Sequence, residues 1–198
     1  MFKAALVDLD GTLIDSHEAN FLSYKQALDE FKMSYDAQVL TRVVGRLAWQ
    51  PMLNIILPDC PHIHLEVVKR KRTIYSSMIS QISVNDALVD VLRILRPSTA
   101  IGIVTSASRS SVESILNEKH LHGLFDVIIT SEDVMKQKPD PEPYHCAAKL
   151  LGVNACECLV FEDSEVGIQA ARSFGAQVWN VMWKNQSELS PLALTQKS

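Results

Sequence analysis

Five strand-sized apolar runs alternate with stretches of helical period, and this alternation restricts the fold more than any other feature of the chain. The runs cover 2–7, 100–105, 125–130, 158–161 and 176–181. Helical patterns lie between the later runs. Over 110–118, Ser110 and Glu113 have capping-box spacing ahead of Ile115 and Leu116. The pattern over 141–151 begins at Pro141 and ends before Gly152, and that over 164–174 carries Val166, Ala170 and Phe174 and stops at Gly175. Strands alternating with helices of this length predict a parallel sheet with helices on both faces.

One region breaks the pattern. From about 16 to 81 no buried strand is legible. Phe21, Tyr24, Leu28 and Phe31 recur at helical spacing, as do Val39, Val43 and Val44, then Leu65, Val68, Arg72 and Tyr75. The prediction is an insert of three or four helices after the first strand, its aromatic stripe being core. The chain therefore divides into an α/β core over 1–15 and 83–198 and a helical insert over 16–82.

Composition excludes several classes. Of 198 residues, 47% are hydrophobic and 21% charged, which fits a packed core and not a disordered chain. A net charge of −4 gives no reason to expect nucleic acid or an anionic membrane as partner. No apolar run approaches the ~20 residues that span a bilayer. Asp8 and Asp10 follow Lys3 too closely for an export signal. Cys60, Cys146, Cys156 and Cys158 are expected as reduced thiols in a cytoplasmic protein.

The chemistry gathers at strand ends, where open α/β sheets bind ligands. The first run ends in Asp8-Leu9-Asp10-Gly11-Thr12. Two carboxylates two residues apart repel, and a hard divalent cation such as Mg²⁺ removes the conflict. Gly11 permits a tight turn. The second run ends in Thr105-Ser106, hydroxyls able to bond a phosphate oxygen. Lys138 follows the third, and Glu162-Asp163-Ser164 ends the fourth. Each has an ordinary reading: an acidic turn, a Ser/Thr turn, a solvated lysine, an N-cap. Their coincidence at one edge of one sheet favours a site.

Asp8 to Ser16, then Ser106 after Ile103-Val104-Thr105, Lys138-Pro139, and Glu162-Asp163 within the segment Phe161 to Ala171 resemble the four motifs of the haloacid dehalogenase superfamily, in its phosphatase and β-phosphoglucomutase branch. The resemblance runs from residue 2 to about 181 and implies a Rossmann-like core, with the insert as a small helical cap. It implies Asp8 as the nucleophile forming an aspartyl-phosphate and Asp10 as acid and base. It places Ser106, Lys138 and the Leu9 and Ala107 amides on the phosphoryl group. Mg²⁺ would be held by Asp8, the Asp10 carbonyl and Asp163, with Glu162 as a direct or water-mediated ligand. Gln137 stands where a Gly is frequent.

The implied activity is hydrolysis of a small phosphorylated metabolite, a sugar phosphate above all, by a monomer or weak dimer. Transfer by a β-phosphoglucomutase is the alternative, and an inactive phosphate-binding scaffold a remote one. Mutases of this branch carry a His where this chain has Asn20, and a cap arginine three residues after Gly45, where it has Ala48; His17 and Arg46 lie near but at other angles. All of Asp8, Asp10 and Lys138 are present, against the inactive scaffold. Cys156 and Cys158 read as flanking a strand, His62 and His64 as a surface loop, Lys69 to Arg72 as a solvated helix face of which one member could meet a substrate's distal charge, and Trp49 as core. The tail 187–198 shows no period.

Overall fold

The computed structural model describes residues 2–45, 47 and 49–182. Arg46, Ala48 and the tail 187–198 lie outside the described residues. In chain order the elements are β1 (Ala4–Val7), β2 (Ile14–Asp15), α1 (His17–Glu30), α2 (Ala37–Val43), α3 (Trp49–Ile56), α4 (His64–Met78) and β3 (Ser83–Val84). There follow α5 (Asp86–Leu95), β4 (Ala100–Val104), α6 (Arg109–Glu118), β5 (Val127–Ile129), α7 (Glu142–Leu151), β6 (Cys158–Glu162), α8 (Glu165–Phe174) and β7 (Gln177–Asn180).

The main sheet is parallel, in the order β5-β4-β1-β6-β7. β1 is central and buried along its whole length, so it has no polar face. Its side chains alternate. Ala5 and Val7 join Leu88, Leu92, Val112 and Ile115 from α5 and α6, while Ala4 and Leu6 join Tyr144, Ala147, Ala170 and Phe174 from α7 and α8. The sheet is therefore covered on both faces, as the sequence predicts.

Several local expectations shift. α6 is capped by Ser108, whose Oγ accepts from Ser111 N, and not by Ser110. The first-turn amide of Arg109 donates to Glu132 at 2.7 Å, and Glu113 pairs with His122 instead of reaching back to a cap. α5, capped by Asn85, lies in a stretch read without an element. So do β2 and β3, a two-residue antiparallel pair with Ile14 opposite Val84 and Asp15 opposite Ser83. Such a ladder is too short for a period to register.

Helices α1–α4 form a separate apolar cluster around Tyr24, Leu28, Leu40, Leu53, Val67 and Ile74. The expected stripes hold at Tyr24, Leu28, Val44, Val68 and Tyr75, which are buried, and depart at a few positions. Phe31 and Leu65 are exposed, whereas Val67 and Ile74 are buried. His64 opens α4 instead of sitting in a surface loop; it is buried and its Nε2 lies 3.0 Å from the Leu57 carbonyl. Trp49 packs on the same cluster. Cys158 is buried in β6 with Cys156 exposed before it, and all four cysteines are free.

Candidate active site

The turn after β1 fits a carboxylate that arrives from another strand. Gly11 has φ +89°, and a Cβ there would stand 2.3 Å from Asp163 Oδ2. Thr12, fully buried, donates to Asp163 Oδ1 at 2.9 Å. Asn85 Nδ2 holds the Thr12 carbonyl at 3.1 Å and so ties the turn to the start of α5. Gly11 and Thr12 thus position Asp163, the acid just past β6, as well as turning the chain.

Lys138 lies at the centre of the site. Its ammonium donates to Asp8 Oδ1 at 2.7 Å, to the Val104 carbonyl at 2.9 Å and to Glu162 Oε1. Three acceptors use its three donors. The loop that delivers it is pinned at both ends. Gln137 Nε2 donates to the Ser131 carbonyl, and Glu142 accepts from the amides of Met135 and Lys136. The side chains of Lys138, Asp8 and Glu162 are only 4%, 11% and 1% exposed. Asp8 therefore does not face a solvent-filled cleft, as a bare strand-end carboxylate would suggest.

Glu162 is saturated. Oε1 accepts from Lys138 and from Tyr144 Oη at 3.2 Å, and Oε2 accepts from Ser164 N and Oγ at 3.1 and 2.9 Å. Gly167 makes room for it: a Cβ there would lie 1.8 Å from Oε1.

The electrostatics follow from three acids around one base. Oxygens of Asp8, Glu162 and Asp163 all lie within 4.8 Å of one another. Burial pushes Asp8 well up; Lys138 opposes this, while Glu162 and Asp163 add to it. Burial likewise pushes Asp163 up to about 6, with the Thr12 hydrogen bond opposing. Burial alone would depress Lys138, but Asp8, Tyr144 and Glu162 outweigh it and hold the ammonium charged. A buried excess of hard carboxylate oxygens fits a divalent cation of the Mg²⁺ kind.

Asp10 points elsewhere. Its Oδ1 accepts from Ser16 Oγ, which in turn accepts from Asn20 Nδ2 at 3.2 Å, and Asn20 Oδ1 accepts from Lys71 Nζ at 2.6 Å. Lys71 sits over the rings of Tyr75 and Tyr24, 4.2 and 5.1 Å from their centroids. Burial lowers its ammonium to about 8, although Asp10 pulls it up. This corrects the reading of the basic run as one solvated face. Lys69 and Arg70 do point outward, pairing with Glu66 and Glu30. Lys71 turns inward because it follows buried Val67 by four residues and precedes Tyr75 by four. That spacing was legible in the sequence, but the charge run masked it.

The remaining sequence candidates cluster at the same edge. Ser106 is exposed just past β4. The Ala107 amide donates to Thr105 Oγ1 at 3.0 Å, so it is already used within the turn. Leu9 is buried, and its carbonyl accepts from Leu13 and Ile14. Sequence reasoning did not single out Lys71 within its basic run and gave no role of their own to Thr12, Ser16 and Tyr144. The last is a buried aromatic in the first turn of α7, where core packing is the default reading.

An open parallel sheet with an Asp-x-Asp turn, a buried lysine and an acidic pair at its carboxyl edge carries its charged groups where α/β proteins of this class bind ligands. The model of the haloacid dehalogenase-like hydrolase family matches residues 5–181, and the chain belongs to that family. It is 33% identical over 178 residues to the validoxylamine A 7'-phosphate phosphatase of Streptomyces hygroscopicus subsp. limoneus, covering 88% of this chain and 83% of that one. It is 26% identical over 181 residues to the fructose-1-phosphate phosphatase YqaB of Escherichia coli (strain K12), covering 91% and 96%. A solved family hydrolase from Entamoeba histolytica superposes with a TM-score of 0.81 at 25% identity, over 96% of this chain and 86% of the other. The chain is a phosphatase-type hydrolase of this family. No helix among the described residues is long and apolar enough to cross a membrane.

Proposed function

We propose that the chain is a Mg²⁺-dependent phosphomonoesterase that cleaves a small cytoplasmic phosphorylated metabolite, a sugar phosphate, through an aspartyl-phosphate on Asp8. The observation that carries this is Lys138, charged and buried, bonded at once to Asp8 and Glu162 beside Asp163. An Asp8 carboxylate oxygen bonds to phosphorus as the bond to the leaving alcohol breaks, and Asp10 gives that alkoxide a proton. Water then attacks phosphorus, Asp10 takes the water's proton, and the bond from phosphorus to Asp8 breaks. Lys138 offsets the charge that develops on the phosphoryl oxygens, with Ser106 beside it. Asp8, Asp163 and the Asp10 carbonyl would hold Mg²⁺, which supplies Lewis-acid charge neutralisation when bound. Glu162 serves as the counter-ion of Lys138, because all its hydrogen bonds are already committed.

Residues 16–82 act as the cap and choose the leaving group. Lys71 and Asn20 face Asp10 from that side and are the groups placed to meet a sugar hydroxyl or distal anion. The test is phosphate release from a panel of phosphorylated metabolites with Mg²⁺, alongside β-glucose 1-phosphate. Conversion of the latter to glucose 6-phosphate faster than any phosphate release would replace hydrolysis by mutase chemistry.

A further inference from the structure

Beneath the site, one polar contact is left unused by the mechanism above. Tyr144 is fully buried, yet its hydroxyl donates to the same Glu162 oxygen that binds Lys138. Its ring also lies under the Lys138 ammonium, 5.2 Å from ring centroid to Nζ, and is backed by Phe174 at 6.0 Å with 27° between the ring planes. The ring forms a floor that stops the lysine from sinking away from Asp8, since the ammonium is attracted to the ring face but cannot pass it.

We propose that Tyr144 is a positioning residue that sets how strongly Lys138 is available to the phosphoryl group. All three lysine donors are committed before substrate arrives, so a phosphoryl oxygen must win one of them. Glu162 is the competitor that takes no part in bond making, and at 1% exposed it is the more deeply buried of the two carboxylates on the lysine. The Tyr144 hydroxyl takes part of the electron density of Glu162 Oε1 and so weakens the hold of that oxygen on the lysine. Without the hydroxyl, Glu162 draws the ammonium toward itself and away from Asp8 and the incoming phosphoryl oxygens. Ser164 holds the other carboxylate oxygen, so Glu162 cannot rotate to relieve the imbalance.

The inference rests on the phosphatase reading, and it is tested by binding, so that the two can fail separately. Inorganic phosphate is titrated by calorimetry into wild-type and Tyr144→Phe protein in the presence of Mg²⁺, and Mg²⁺ alone is titrated into both. The expected result is phosphate binding weakened about three- to tenfold by Tyr144→Phe, with the Mg²⁺ constant moved by less than about twofold. The loss should vanish in a Glu162→Gln background, where the charge that Tyr144 tempers is gone and Asp8 is the one carboxylate still bonded to the lysine. Unchanged phosphate binding overturns the inference. So do parallel losses of phosphate and Mg²⁺ affinity, which would mark simple packing damage, and so does full additivity with Glu162→Gln. Should Tyr144→Phe not fold, 3-fluorotyrosine at position 144, a stronger donor of nearly equal volume, must tighten phosphate binding, and no change overturns the proposal. A wild-type protein that binds phosphate but turns over no ester would overturn the proposed function and leave this measurement intact.

Discussion

Two neighbouring polar clusters, one at the strand ends and one against the helical insert, are built on opposite principles. The strand-end cluster of Asp8, Lys138, Glu162 and Asp163 is anchored by the backbone of the sheet, and two glycines are hollowed out to admit its acids. The cluster of Asp10, Ser16, Asn20 and Lys71 hangs between the sheet and the helices. It has a single ammonium held by an amide and two aromatic rings. The first is over-determined and, in the proposed reaction, would bind what every phosphate ester shares. The second is sparsely determined and, in that reaction, would face what differs among esters. The proposal thus assigns the densely bonded cluster to the chemistry and the sparsely bonded one to selection.

The largest test of that contrast is Asp8→Asn, which removes the attacking oxygen at nearly constant volume. Turnover should fall by about a thousandfold or more, measured as phosphate release; retention of more than about a tenth of the wild-type rate would remove Asp8 from the nucleophile role. Because Asp8 is buried against Lys138, the melting temperature should also move, unlike that of a cleft residue.

Next is Gly167→Ala. The added Cβ collides with Glu162, so we expect a loss of about 2–3 kcal/mol in chemical denaturation together with most of the activity. A variant of wild-type stability would mean that Glu162 is not fixed where the fold places it.

Mg²⁺ should stabilise the protein in a pH-dependent way. With the folded pKa of Asp163 raised from 3.8 to about 6, the metal-free protein binds that proton more tightly than the unfolded chain. Stability of the metal-free protein therefore falls as pH rises across that window. The rise in melting temperature on adding Mg²⁺ should be larger at about pH 7.5 than at about pH 5, where protons compete for the same oxygens. Equal shifts at both values would separate the metal from Asp163.

The smallest effect tests the second cluster. Lys71→Met removes a charge held at the expense of burial, so the melting temperature should rise by the equivalent of about 1 kcal/mol. Activity on p-nitrophenyl phosphate should stay within about threefold, while that on the preferred sugar phosphate drops about tenfold. In the wild type, the ammonium is present below its pKa of about 8 and lost above it. The kcat/KM for the sugar phosphate should then decline above that pH while p-nitrophenyl phosphate lacks the step. A shared decline would assign the titration to the strand-end cluster instead.

The sheet was legible because its strands are buried on both faces and read as unbroken apolar runs, β1 most plainly. Asp8, Ser106, Lys138, Glu162 and Asp163 were legible as residue types recurring at strand ends. Distances and directions were not. Nothing in Asp-x-Asp reveals that Asp8 turns into the core while Asp10 turns out to Ser16. The inward Lys71 was hidden because three of its neighbours in the basic run are solvated, and a short charge run carries little phase information. Tyr144 was hidden because a buried aromatic on a helix is nearly always packing, and only its hydroxyl's partner distinguishes it.

The short ladder between β2 and β3 has a consequence for how such proteins diversify. Residue 15, just before the first helix of the α1–α4 cluster, pairs with residue 83, just after the last. Whatever lies between them is therefore presented to the rest of the molecule as a closed loop with a fixed doorway. The entropy of closing that loop grows only with the logarithm of its length. Helices can be added, deleted or traded between 15 and 83 at little cost to the sheet, so, in the proposed function, recombination at this doorway would present the same strand-end residues with a different set of leaving groups.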